Sequence, residues 1–143
     1  IVFASAASNL VAGDTNDNQD VFLFDQRTRH LSLISRASNG TQGNSHTYSA
    51  AISPDGRYVA LVSYATNLVA GDTNGRQDVF IRDLRSATTT LASIGYQGAP
   101  GNGDSVGAMI TSRGRYVVFE STASNLTQVD RNSNIDVFIR TLR

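Results

Sequence analysis

The 143-residue sequence contains no cysteine, no tryptophan and no lysine, one methionine and two prolines. The missing cysteines exclude disulfides and thiolate-held metals and leave the redox compartment undecided. All twelve basic residues are arginine, and twelve acidic residues balance them to a formal net charge of zero. No global field therefore recruits nucleic acid or a membrane surface; the absence of lysine reads as codon or lineage bias. No apolar run approaches the ~20 residues that span a bilayer, and no helical periodicity of useful length is present. A G-x-S-x-G nucleophile elbow is absent, as is a Gly-rich phosphate loop ending in Gly-Lys. No signal peptide is visible, and a start at Ile1 instead of Met suits a fragment.

What the sequence does have is repetition. Asp14, Asp72 and Asp130 stand 58 residues apart, and Asp20, Asp78 and Asp136 keep the same step. Sliding residues 1–58 onto 59–116 matches roughly 26 positions, and a fixed long period marks a repeat architecture. Residues 117–143 begin a third copy and stop halfway.

Within one copy, YSAAIS (48–53), RYVALVS (57–63), DVFIRDL (78–84) and TTTLASI (88–94) are short segments rich in β-branched and aromatic residues, bounded by turn formers. Pro54-Asp55-Gly56 suits a tight turn, and Ser112-Arg113-Gly114 keeps its glycine. Four antiparallel strands A to D per repeat, stacked radially, predict an all-β chain built of β-propeller blades. A parallel β-helix needs shorter rungs, and a sandwich has no reason to repeat every 58 residues. The expected division is a partial blade B-C-D over 1–35, a full blade A-B-C-D over 36–94 and a partial blade A-B-C over 95–143. Incomplete blades leave open edges, and so few cannot close a ring. The expected partner is the chain itself, as a closed homo-oligomer, with a dimer favoured over a trimer.

SPDGRYVALVS (53–63), SRGRYVVFES (112–121) and SNLVAGDTNxxQDVF (8–22, echoed at 66–80) resemble the TolB-like, WD-repeat-like β-propeller repeats of bacterial proteins. The resemblance covers essentially the whole chain. It implies a propeller fold, a periplasmic or secreted setting, and a role as a partner-binding platform or as companion to a hydrolase domain. The chain departs from the family in length, since family members carry a whole ring in one polypeptide.

The acidic phrase falls in the B–C loop. Asp14, Asn16, Asn18 and Asp20 occupy its positions 1, 3, 5 and 7, and Asp130, Asn132, Asn134 and Asp136 repeat the pattern. Alternating oxygen side chains suit Ca²⁺ with its 6–8 oxygen ligands. The second copy, Asp72, Asn74, Arg76 and Asp78, has an arginine that cannot ligate and is expected to be the weakest site. The loop is no EF-hand, lacking the glycine at 6 and the glutamate at 12. The alternative is a scaffold of Asx turns without metal. Position 4 varies as Asp17, Gly75 and Ser133, while the outer aspartates stay fixed, which favours the ion.

Val-Phe at 21–22, 79–80 and 137–138 is expected to be core, and Asp25 and Asp83 to cap the following turns. The long D–A connections, 36–49 and 94–107, should emerge on the same face as the acidic loops. A small molecule or peptide would bind there, because loops on a rigid scaffold carry function. His46 and its equivalent Asp104 are the candidate catalytic residues of an alternative, a Ca²⁺-dependent hydrolase acting on an ester, lactone or phosphotriester at the channel mouth. His30 has less claim, and Glu120, the only glutamate, has no assigned role. The favoured expectation is a calcium-stapled, self-assembling scaffold.

Overall fold

The computed structural model describes every residue except Ser133 and Arg143. The described residues form ten strands: β1 (Val2–Ser5), β2 (Asp20–Asp25), β3 (His30–Leu33), β4 (Thr47–Ile52), β5 (Tyr58–Ser63), β6 (Asp78–Asp83), β7 (Thr88–Leu91), β8 (Ser105–Ile110), β9 (Tyr116–Ser121) and β10 (Asp136–Thr141). They form three antiparallel meanders, β1-β2-β3, β4-β5-β6-β7 and β8-β9-β10. The expected strand segments are all found, each within a few residues of its expected bounds.

The register repeats with the sequence. Phe3 pairs Phe22, Leu61 pairs Phe80, and Phe119 pairs Phe138. Turn chemistry explains the hairpins. Gly56, at φ +72°, closes the β4–β5 turn by donating to the Ser53 carbonyl at 2.8 Å. Asp25 and Asp83 do cap: each Oδ1 accepts the backbone N–H two residues on, from Arg27 and Arg85, at 2.9 Å.

The middle sheet is covered on both faces, so β5 is nearly continuously apolar instead of alternating apolar with polar. Period-2 geometry still sorts its side chains. Val59, Leu61 and Phe80 join Val21 and Ile34 in the layer between the first and second sheets. Ala60, Val62, Val79 and Ile81 meet Ile110, Val117 and Phe119 between the second and third. Alternate residues of each strand thus serve the junction behind and the junction ahead, and both are closed by apolar side chains.

The expectation that each Val-Phe pair is core holds in two copies and by half in the third, where Phe138 stacks half-buried on Phe119. Val21, Phe22, Val79 and Phe80 are completely buried, whereas Val137 is 67% exposed. The reason is positional: among the described residues no further sheet covers the forward face of strand β10.

Candidate functional site

The B–C loops and the D–A connections do share a face, and the connections lace consecutive sheets together. Asn44 receives the Thr66 N–H at 2.9 Å and gives its own N–H to Asn67 Oδ1 at 2.9 Å. Asn102 does the same with Ser124 and Asn125, at 2.8 and 2.9 Å. Backbone clasps add to this: Thr47 N–H donates to Gln19 O, and Ser105 N–H to Gln77 O, both at 2.7 Å.

His46 and Asp104 belong to those clasps. His46 Nδ1 accepts the Gln19 N–H at 2.9 Å, and Asp104 Oδ1 accepts the Gln77 N–H at 3.0 Å. Both side chains present an acceptor to a loop amide, which is why an imidazole and a carboxylate exchange at this position. The bond requires His46 Nδ1 to be unprotonated.

The acidic loops divide their residues between two tasks. Asn at position 3 builds an Asx turn in every copy: Asn16, Asn74 and Asn132 Oδ1 accept the N–H of Asn18, Arg76 and Asn134 at 2.9, 2.8 and 2.8 Å. Asn18 turns its amide to the Asn16 carbonyl at 3.0 Å. The outer aspartates point inward instead. Asp14, Asp20, Asp72 and Asp78 are all buried, although the middle of each loop is largely exposed. Asp130 and Asp136, in the uncovered third copy, are half-buried, and Asn132 Nδ2 reaches Asp136 at 3.2 Å.

Buried carboxylates demand partners. At position 7, Asp20 Oδ1 takes the Ser35 hydroxyl and Asp78 Oδ1 the Ser93 hydroxyl, each at 2.5 Å. Those serines also accept Val21 N–H at 3.2 Å and Val79 N–H at 3.0 Å. The other oxygens fare differently in the two copies. Gln42 Nε2 donates to Asp14 Oδ1 at 2.8 Å and to Asp20 Oδ2 at 2.9 Å. In the second copy Asn74 Nδ2 donates to Asp78 Oδ2 at 2.7 Å and to the Gly101 carbonyl at 2.8 Å. Among the described residues, Asp14 Oδ2 and Asp72 Oδ1 are buried without a partner. Burial pushes the Asp78 carboxyl up to about 6 against the Ser93 and Asn74 hydrogen bonds, with Asp72 and Asp104 adding to the rise. Burial also raises Asp72, partly offset by the Asn74 N–H.

Gln42, Ser35 and Ser93 are the site residues that the motif reading missed. The two serines repeat at the 58-residue step on a strand end that is otherwise apolar, a signal present in the sequence. On the opposite side, among the A–B and C–D turns, Arg57, Asp83, Arg113 and Leu142 line a cleft of about 320 Å³.

The radial stacking of three- and four-stranded meanders has counterparts among solved structures. The chain superposes on a putative TolB from Agrobacterium tumefaciens with a TM-score of 0.58 and 14% identity, over 98% of this chain and 38% of that one. TolB from Acinetobacter baumannii gives 0.51 and 16%, over 91% and 25%. The fold is that of a TolB-like β-propeller segment. The tricorn protease aligns as well, at 0.55 and 15%, over 86% of this chain and 12% of its own. The segment spans at most 38% of the length of these neighbours, and identities this low speak for fold alone. No family profile and no curated relative matches the chain.

Proposed function

We propose that the propeller segment is a self-assembling scaffold whose copies stack head to tail through their two end faces. The observation that carries this reading is a comparison within the repeat. Val137 and Ile139 are 67% and 70% exposed, while Val79 and Ile81, one period earlier, are 0% and 4% exposed because the next sheet covers them. The forward face of β10 therefore has the side chains of a junction and, among the described residues, no partner. The backward face of the first sheet is its complement: Ile1 and Phe3 are exposed where Val59 and Leu61 are fully buried.

Forward and backward faces differ, so the contact is heterologous, and a curved stack of such contacts closes into a ring when its rotation permits. Two copies are favoured. The ring would gather the acidic loops and D–A connections on one face as a platform for a small molecule or peptide. Light scattering after size exclusion tests the reading. The wild-type chain is expected as a discrete oligomer that dissociates on dilution, and Val137→Asp with Ile139→Asp as a folded monomer. A wild-type chain that stays monomeric at about 100 μM, well above a micromolar Kd, refutes it.

A further inference from the structure

The two complete junctions between blades carry the same aspartate pair but different surroundings. One period after Gln42 stands Pro100, and one period after His46 stands Asp104. At the first junction both protons of the Gln42 amide go to Asp14 and Asp20, and its Oε1 accepts the Thr15 N–H at 3.1 Å. An amide nitrogen thus sits between the two carboxylates. Pro100 can offer no such donor, and the acceptor beside the pair is a third carboxylate in place of an imidazole. Asp72 is only 6% exposed, and among the described residues its Oδ1 has no partner; Asp14 Oδ2 has none either, but there the Gln42 amide already holds the other oxygen.

We infer that Asp72 and Asp78 form a divalent-cation site of the hard, oxygen-preferring kind suited to Ca²⁺, and that the Gln42 amide fills the corresponding place at the first junction. The ordering expected from spacing is thereby reversed. Arg76, which made the second loop look weakest, is exposed and enters the loop only through its backbone N–H, bonded to Asn74 Oδ1. Asp72 Oδ1 supplies one anionic ligand, and Asp78 Oδ2 the other once the Asn74 amide that donates to it at 2.7 Å turns aside. Among the described residues no three His, Asp or Glu side chains converge on one point, so carbonyls and water complete the shell. Two carboxylates with such a shell belong to the weak class, with a Kd of roughly 10⁻⁴–10⁻³ M.

The site lies within one chain, so its test is independent of assembly. Calcium chloride is titrated calorimetrically into the full chain, wild type, Pro100→Gln and Asp72→Asn, near neutral pH. Wild type is expected to bind a single ion. Pro100→Gln, which installs the amide of the first junction, is expected to weaken binding at least about tenfold, a cost near 1.4 kcal/mol, while raising the melting temperature without calcium. Should Pro100→Gln fail to fold, Asp72→Asn carries the same comparison. Absence of binding up to about 10 mM, well above the weak class, overturns the inference, as does binding that survives in whichever variants fold.

Discussion

Replacing Ser93 by alanine tests the energetics of the buried aspartate most directly. The hydroxyl donates to Asp78 Oδ1 at 2.5 Å and accepts the Val79 N–H at 3.0 Å, and Ser93 and Asp78 are both fully buried. Without it, the Val79 N–H loses its acceptor at a cost of about 1–3 kcal/mol, and a hydrogen bond to a charged group worth about 1.5–3 kcal/mol is lost. The two losses share one atom and are not additive. A total of about 3 kcal/mol is expected near neutral pH. The loss should shrink near pH 5. There Asp78, whose carboxyl sits at about 6 in the wild type and higher without the Ser93 donor, is largely protonated and has no charge left to solvate. Because tryptophan is absent, urea unfolding is best followed by far-UV circular dichroism. Ser35→Ala should cost a similar amount near neutral pH, since its hydroxyl plays the same part for Asp20 and Val21. A loss below about 1 kcal/mol near neutral pH, or one identical at both pH values, refutes the reasoning.

The pH dependence of the wild type follows from opposed carboxylates. Asp78, at about 6 in the folded chain, binds more protons folded than unfolded, so in chelator stability should fall as pH rises from about 4 through 6, by at most about 3 kcal/mol. Asp83 acts the other way: Arg57, bonded to it at 2.7 and 3.1 Å, holds its carboxyl well below the usual range, and that stability is lost as pH drops below about 4. Urea midpoints should therefore peak at about pH 4–5, and a midpoint higher at pH 7.5 than at pH 5 contradicts the assignment. Two glycines at equivalent turn positions should also respond unequally to alanine. Gly56, at φ +72°, has nothing within 4 Å of an added Cβ and should lose only the left-handed strain of about 1–2 kcal/mol. At Gly114, φ +59°, the new atom would lie 2.5 Å from the Tyr58 ring, adding about 1–3 kcal/mol of overpacking. Equal midpoints for the two variants would show that the Tyr58 ring moves aside freely.

Much of this protein is written in local chemistry. The 58-residue step is legible by aligning the chain with itself, and the β-branched strands, the Pro-Asp-Gly turn and the capping Asp25 and Asp83 are legible because they depend on neighbours a few residues away. The acidic loops were legible as special for the same reason. The roles inside them were not. His46 and Asp104 as acceptors for loop amides, Ser35 and Ser93 beneath the position-7 aspartates, and Gln42 between Asp14 and Asp20 join residues 14 to 28 positions apart. Which polar atoms meet over such separations depends on how one sheet stacks on the next.

The sequence by itself determined the repeat, the strands and which residues could serve as oxygen ligands, because periodicity and turn propensity act locally. Only the tertiary structure decided that the asparagines shape the loops while the outer aspartates are buried, and that one pair is bridged by an amide and the other is not. It alone showed Val137 left in solvent while Phe138 stays half-buried against Phe119, since burial is a property of the neighbouring sheet and not of the strand that carries the side chain.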